Sequence, residues 1–169
     1  MKKPISSSPS RRAFLKGSSA LAAAPAFLSG ASIDNAINVG LVGCGGRGTG
    51  AAAQALTADD KAVLTAVADV SQEQIDQSLA LVAEKHGDKV QVEPSHQFLG
   101  LDAYEGVIDS DVDVVLLATP PGFRPSHVRK VIDAGKHMFC EKPVAVDAPG
   151  VRRGLIHCRR VVLSTCRRR

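Results

Sequence analysis

At 169 residues, 44% hydrophobic and 22% charged, the chain has room for one domain of ordinary size and is no low-complexity polymer. Aromatic residues make up only 4%, with no tryptophan, which argues against a base-stacking platform for nucleic acid. The net charge of +4 is an end effect: setting aside five N-terminal and seven C-terminal positive charges leaves the middle at −8, so the basic balance says nothing of a nucleic-acid surface on the acidic body.

In chain order, residues 1–31 stand apart. The stretch SRRAFLK, Ser10 to Lys16, resembles the twin-arginine export signal, and the residues from Gly17 to Ile33 carry no charge. Export through that machinery to a bacterial periplasm is the expectation. Small residues at Ala24-Pro25-Ala26 or Ser29-Gly30-Ala31 suit a signal peptidase, and an uncleaved membrane anchor is the alternative.

Ile37 to Val42 is an apolar, β-branched run that predicts a buried strand. Gly43, Gly45 and Gly48 follow at G-x-G-x-x-G spacing, and an alanine-rich helix begins at once. Gly43 suits the tight turn, Gly45 a close approach of backbone to a pyrophosphate, and Gly48 close helix packing. The helix N-terminus supplies free N–H groups and a favourable dipole for the phosphates. Cys44, within this loop, is expected beside the cofactor as an inert thiol. None of the four cysteines forms a C-x-x-C or a zinc-like cluster with histidine, so no metal site is expected.

Ala62 to Ala68 predicts a second strand with Asp69 at its end, 21 residues beyond Gly48. An acid there accepts hydrogen bonds from ribose hydroxyls and repels a 2′-phosphate, which favours NAD over NADP. Capping of the next helix, Ser71 to His86, is an alternative job for the same carboxylate. Val90 to Val92 reads as a short edge strand, and Tyr104, Val107 and Ile108 as a helix ending near Asp109. Val112 to Thr119 is strongly apolar, as a strand covered on both faces would be. Thr119-Pro120-Pro121-Gly122 breaks it at its ligand-binding end. Ser126 to Ala134 predicts a helix stopped by Gly135, and His137 to Cys140 a last strand followed by Glu141-Lys142-Pro143. This β-α alternation with short links implies an α/β fold with a doubly wound parallel sheet, a Rossmann dinucleotide-binding domain over residues 35–151.

Three motifs, VGCGGRG, the strand ending ATPP with His127 beyond it, and GKHMFCEKP, together resemble the Gfo/Idh/MocA family of nicotinamide-dependent oxidoreductases. The resemblance spans Asn38 to Val151, the family's N-terminal Rossmann domain. It implies a cofactor site formed by Gly43, Cys44, Gly45, Gly46, Arg47, Gly48, Asp69, Thr119, Pro120, Glu141 and Lys142. Lys142 is implied to be catalytic, facing nicotinamide and substrate, where its ammonium can hydrogen-bond a hydroxyl or relay a proton. His127 is left open between the cofactor site and a solvated helix face. The implied activity is hydride transfer between the nicotinamide and a sugar, cyclitol or polyol. Redox-neutral glycoside hydrolysis on the same fold and a non-catalytic nucleotide-binding fragment are the alternatives. Oligomeric state is not indicated.

From residue 152 the pattern departs from the family. The last eighteen residues hold seven arginines, two cysteines and no acid. A frameshift in the gene or its sequencing is the expectation, with the family's C-terminal substrate domain missing. An arginine-rich tail for anionic partners is the weaker alternative.

Overall fold

The computed structural model describes residues 36–156. The segment expected to carry an export signal and residues 157–169 of the arginine-rich tail lie outside the described residues. Five parallel strands form one sheet: β1 (Ile37–Val42), β2 (Ala62–Asp69), β3 (Gln97–Leu99), β4 (Val114–Leu117) and β5 (His137–Cys140). Their order across the sheet is β3-β2-β1-β4-β5. The direction of winding reverses at β1, between β2 and β4, where an open α/β sheet leaves its ligand crevice.

Four helices cover the sheet: α1 (Gly46–Ala58), α2 (Gln72–His86), α3 (Ala103–Asp109) and α4 (Arg124–Asp133). Ala52 and Leu56 of α1 and Ile75 and Val82 of α2 pack on one face, against Leu41, Leu64 and Val67. Val107 and Ile108 of α3 and Val128 and Val131 of α4 pack on the other, against Val42, Val115 and Leu117. Alternate residues of β1 thus serve two cores, which is why its sequence shows no polar face. A further helix over 148–156 runs from the body into the arginine-rich stretch.

One irregularity interrupts the sheet. Val39 pairs with Leu64 and Gly40 with Ala66, so Thr65 is an extra residue in β2, a β-bulge. Its hydroxyl is buried without a hydrogen-bond partner among the described residues. Gly40 lies opposite this bulge, and a Cβ there would stand 2.5 Å from Val107 Cγ1, so the missing side chain lets α3 settle on the sheet.

The structure corrects several boundaries. The strand expected at Val90 to Val92 is absent; Val90 makes only an isolated bridge to Leu64. Short 3-10 turns, Gly87–Lys89 and Pro94–His96, bracket that segment, and pairing moves on to β3. The fourth strand keeps only Val114–Leu117 of the expected Val112 to Thr119. The fourth helix begins at Arg124, two residues before Ser126, because Pro125 occupies its first turn, where a missing N–H costs nothing. Gly135 does end that helix, with φ of 69°.

Candidate functional site

The carboxyl ends of β1, β2 and β4 converge on the glycine turn. Gly43 has φ of 97°, and a Cβ there would lie 2.9 Å from Thr119 N. Positive φ and contact with the end of β4 both require glycine. Gly48 is more constrained, since a Cβ would stand 1.8 Å from the Gly43 carbonyl oxygen. This close packing brings the first turn of α1 over the strand ends. Gly45 differs: the nearest atom to its hypothetical Cβ is Gln74 Oε1 at 3.9 Å, and Gly46 has nothing within 4 Å. No side chain among the described residues caps α1, and its first turn holds no acid. The exposed N–H groups and helix dipole therefore suit an anion such as a pyrophosphate.

Asp69 joins this turn to the end of β2. Its Oδ2 accepts from Cys44 N at 2.6 Å, while Oδ1 accepts from Val70 N at 2.7 Å and Ser71 N at 3.1 Å. The carboxylate thus braces the glycine loop and the entry to α2 together. Cys44 is not beside the cleft, as expected, but beneath the loop, with Sγ 3.6 Å from the Ala68 carbonyl oxygen. Burial, reinforced by the Asp69 charge, pushes its thiol up to about 12, so it is no nucleophile.

Across the cleft, the turns after β4 and β5 are tied to α4. Arg124, only 5% exposed, donates from Nε to the Thr119 carbonyl at 2.6 Å. Its Nη1 donates to the carbonyls of Glu141 and Pro143, each at 2.5 Å. Glu141 is buried and pairs with Arg47 of the glycine loop, whose side chain is itself largely exposed. Its other oxygen accepts from Lys142 N at 3.2 Å. The Arg47 hydrogen bond, aided by the nearby charges of Arg47 and Lys142, holds the Glu141 carboxyl below its ordinary value despite the opposing effect of burial. Lys142 itself is exposed at the end of β5.

These elements enclose a cleft of about 570 Å³. Of the expected residues, Gly43, Gly45, Asp69, Thr119 and Pro120 line it. Cys44, Gly46, Arg47, Gly48, Glu141 and Lys142 do not; they support the wall or stand beside it. His127 is only 5% exposed and lines the cleft, which decides against a solvated helix face. Its ring stacks on Tyr104 at 4.0 Å between centroids, and Nδ1 lies 3.1 Å from Thr119 Oγ1. Burial lowers its pKa to about 4, so the ring is neutral at ordinary pH. A larger depression of about 760 Å³ on the outer side of α4, lined by Ser126, Arg129 and Lys130, receives no strand end. The smaller cleft is therefore the candidate site.

Sequence reasoning missed Arg124, Phe123 and Tyr104 as cleft residues. A signal was present for the first: Arg124, His127, Val128 and Val131 recur at helical spacing, and all four are buried.

The profile of a family described as "Oxidoreductase family, NAD-binding Rossmann fold" matches residues 37–160. Inositol 2-dehydrogenase of Cereibacter sphaeroides is 34% identical over 117 residues, covering 69% of this chain and 31% of its own. Glycosyl hydrolase family 109 protein 2 of a Shewanella species is 30% identical over 158 residues, covering 80% and 34%. Among solved structures, the WlbA dehydrogenase from Bordetella pertussis, in complex with NADH and UDP-GlcNAcA, superposes with a TM-score of 0.58. It has 28% identity and covers 76% of this chain and 33% of its own. The chain spans about a third of the length of these relatives.

Proposed function

The chain belongs to the Gfo/Idh/MocA oxidoreductase family, and on that premise we propose that its body is the NAD-holding part of an enzyme acting on a sugar, cyclitol or related polyol. One observation carries the reading: the uncapped N-terminus of α1 opens through Gly45 onto the cleft bordered by Asp69 and Thr119. Inositol 2-dehydrogenase among the relatives, and a structural neighbour solved with NADH, support it.

Gly45 leaves the pyrophosphate room against the backbone, with the exposed Arg47 guanidinium nearby. Gly48 keeps the helix close enough to matter. Three backbone N–H groups already occupy Asp69. A carboxylate accepts about four hydrogen bonds, so about one position remains for a ribose hydroxyl. A 2′-phosphate would meet the same negative charge, which disfavours NADP. Thr119 and Pro120 flank the nicotinamide half. Bound NAD supplies the acceptor for a hydride from a substrate carbon. Lys142, beside the cleft, would accept the substrate hydroxyl's proton on its neutral amine as the hydride departs and pass it to solvent. Glu141, paired with Arg47 and bonded to Lys142 N, fixes the backbone from which that lysine projects.

Competitive titration of the purified chain with NAD and NADP tests the reading. Preference for NAD is expected, and Asp69→Ser should narrow it. Absence of dinucleotide binding would overturn the proposal, and equal affinities would remove Asp69 from the ribose role. A second reading, redox-neutral glycoside hydrolysis, is favoured by the family 109 relative, whose alignment covers more of this chain than that of the inositol dehydrogenase. Net NADH formation by this domain joined to a relative's C-terminal portion would exclude it; sugar release without net NADH would favour it.

A further inference from the structure

The geometry points to Arg124 as the positioning residue that sets the spacing between the Thr119 turn and the Glu141–Lys142 turn, and thereby the place of Lys142 beside the cleft. The proposal rests on the reading of that cleft as a dinucleotide site, but the clamp can be tested without any ligand.

Arg124 is nine-tenths buried or more, and its three hydrogen bonds among the described residues all go to main-chain carbonyls. Two of those carbonyls, Glu141 and Pro143, flank Lys142, and the third, Thr119, belongs to the turn that lines the cleft. The strands themselves stop short of this region: β4 ends at Leu117 and β5 at Cys140. Beyond Leu117 and Cys140, one sheet-like bond, Glu141 N to the Leu117 carbonyl at 3.0 Å, extends their pairing. From there on, the guanidinium takes over as the link between the two turns.

A guanidinium is suited to this because its planar fork fixes the directions of several N–H groups at once. Lysine can reach one carbonyl as a point donor but cannot hold three in one plane. A buried cation is expensive to keep unless its hydrogen bonds are met. Here they are met by groups whose placement decides where the lysine stands. His127, one turn along the same helix, contacts Thr119 through its side-chain hydroxyl, so α4 fixes that residue by backbone and side chain together.

The first test is amide hydrogen exchange on the 169-residue chain without ligand, comparing wild type with Arg124→Met and Arg124→Lys. Exchange should accelerate together in residues 119–123 and 141–144 in the Met variant, while β1 and β2 amides keep their protection. Lysine should restore protection only in part. The second is NAD titration, where the Met variant should lose about tenfold or more in affinity. Ethylguanidinium, but not ethylammonium, should recover affinity in Arg124→Ala. Should the variants fail to fold, the wild-type chain still decides: the Arg124 Nε–H must exchange with water far more slowly than that of exposed Arg129. Equal exchange rates for those two side chains would overturn the clamp. So would acceleration confined to one turn, or a uniform rise across the whole sheet. Undiminished NAD affinity in a variant with both turns loosened would overturn its role in positioning. Failure of the wild type to bind NAD would sink the functional reading alone, leaving the exchange result to decide the clamp.

Discussion

Gly48 shows how completely a single hydrogen can decide a site. Its hypothetical Cβ stands 1.8 Å from a backbone oxygen, not from a side chain that could turn aside. Gly48→Ala is therefore expected to cost about 3 kcal/mol or more of stability, above the usual range for overpacking, and to abolish dinucleotide binding. Denaturant unfolding and titration of the one variant measure both. His127 makes a different kind of demand. With a folded pKa of about 4 against an ordinary 6.5, its neutral form is favoured by folding, and the unfolded chain binds the proton first as pH falls. Stability from this ring is complete above pH 6.5, is lost progressively between 6.5 and 4, and stays lost below. The loss amounts to at most roughly 3 kcal/mol. Thermal unfolding followed across that window should show the decline in wild type and little of it in His127→Gln.

The glycine loop and the β5 turn meet through one ion pair. Because Arg47 holds the Glu141 carboxyl below its ordinary value of 4.5, the stabilisation it brings is present above that value and disappears as pH falls through the lower folded one. Arg47→Met should flatten the acid limb of the stability profile below about pH 4.5 while leaving the His127 limb in place, as read by unfolding at graded pH. Elements of this size were largely legible in the sequence. The first strand, the glycine turn and Asp69 announce themselves because each uses a residue type few other positions tolerate. The edge strand did not: Gln97–Leu99 has no apolar alternation, and its location depends on what β2 offers, whereas Val90 to Val92 had the better composition. Propensity yielded there to tertiary pairing. Arg124 was legible but unread, because a charged residue at the head of a helix suggests solvent until its spacing with His127, Val128 and Val131 is weighed.

At the scale of the whole molecule, two cores lie on opposite faces of one sheet, and no helix among the described residues is long and apolar enough to cross a membrane. The cleft lies where the winding reverses, so its contacts come from segments far apart in sequence, from Val42 to His127. Such a site depends on every strand arriving in the correct phase. The bulge at Thr65 bears on this directly. Leu64 and Ala66 already pair with consecutive residues of β1 and already face opposite cores, so the residue between them is surplus to the ladder. Removing Thr65 altogether should therefore close the strand without turning any neighbour around, and would also discard a buried hydroxyl that has no partner among the described residues. The shortened chain is expected to melt no lower than wild type and to bind NAD as wild type does; a collapse of either would mean that the twist at the bulge, not just the order of side chains, holds the site. The sheet would then behave as a shock absorber for length: a codon lost at that one place stops there, and the spacing between glycine motif and acid shortens by one while the carboxylate stays where it is.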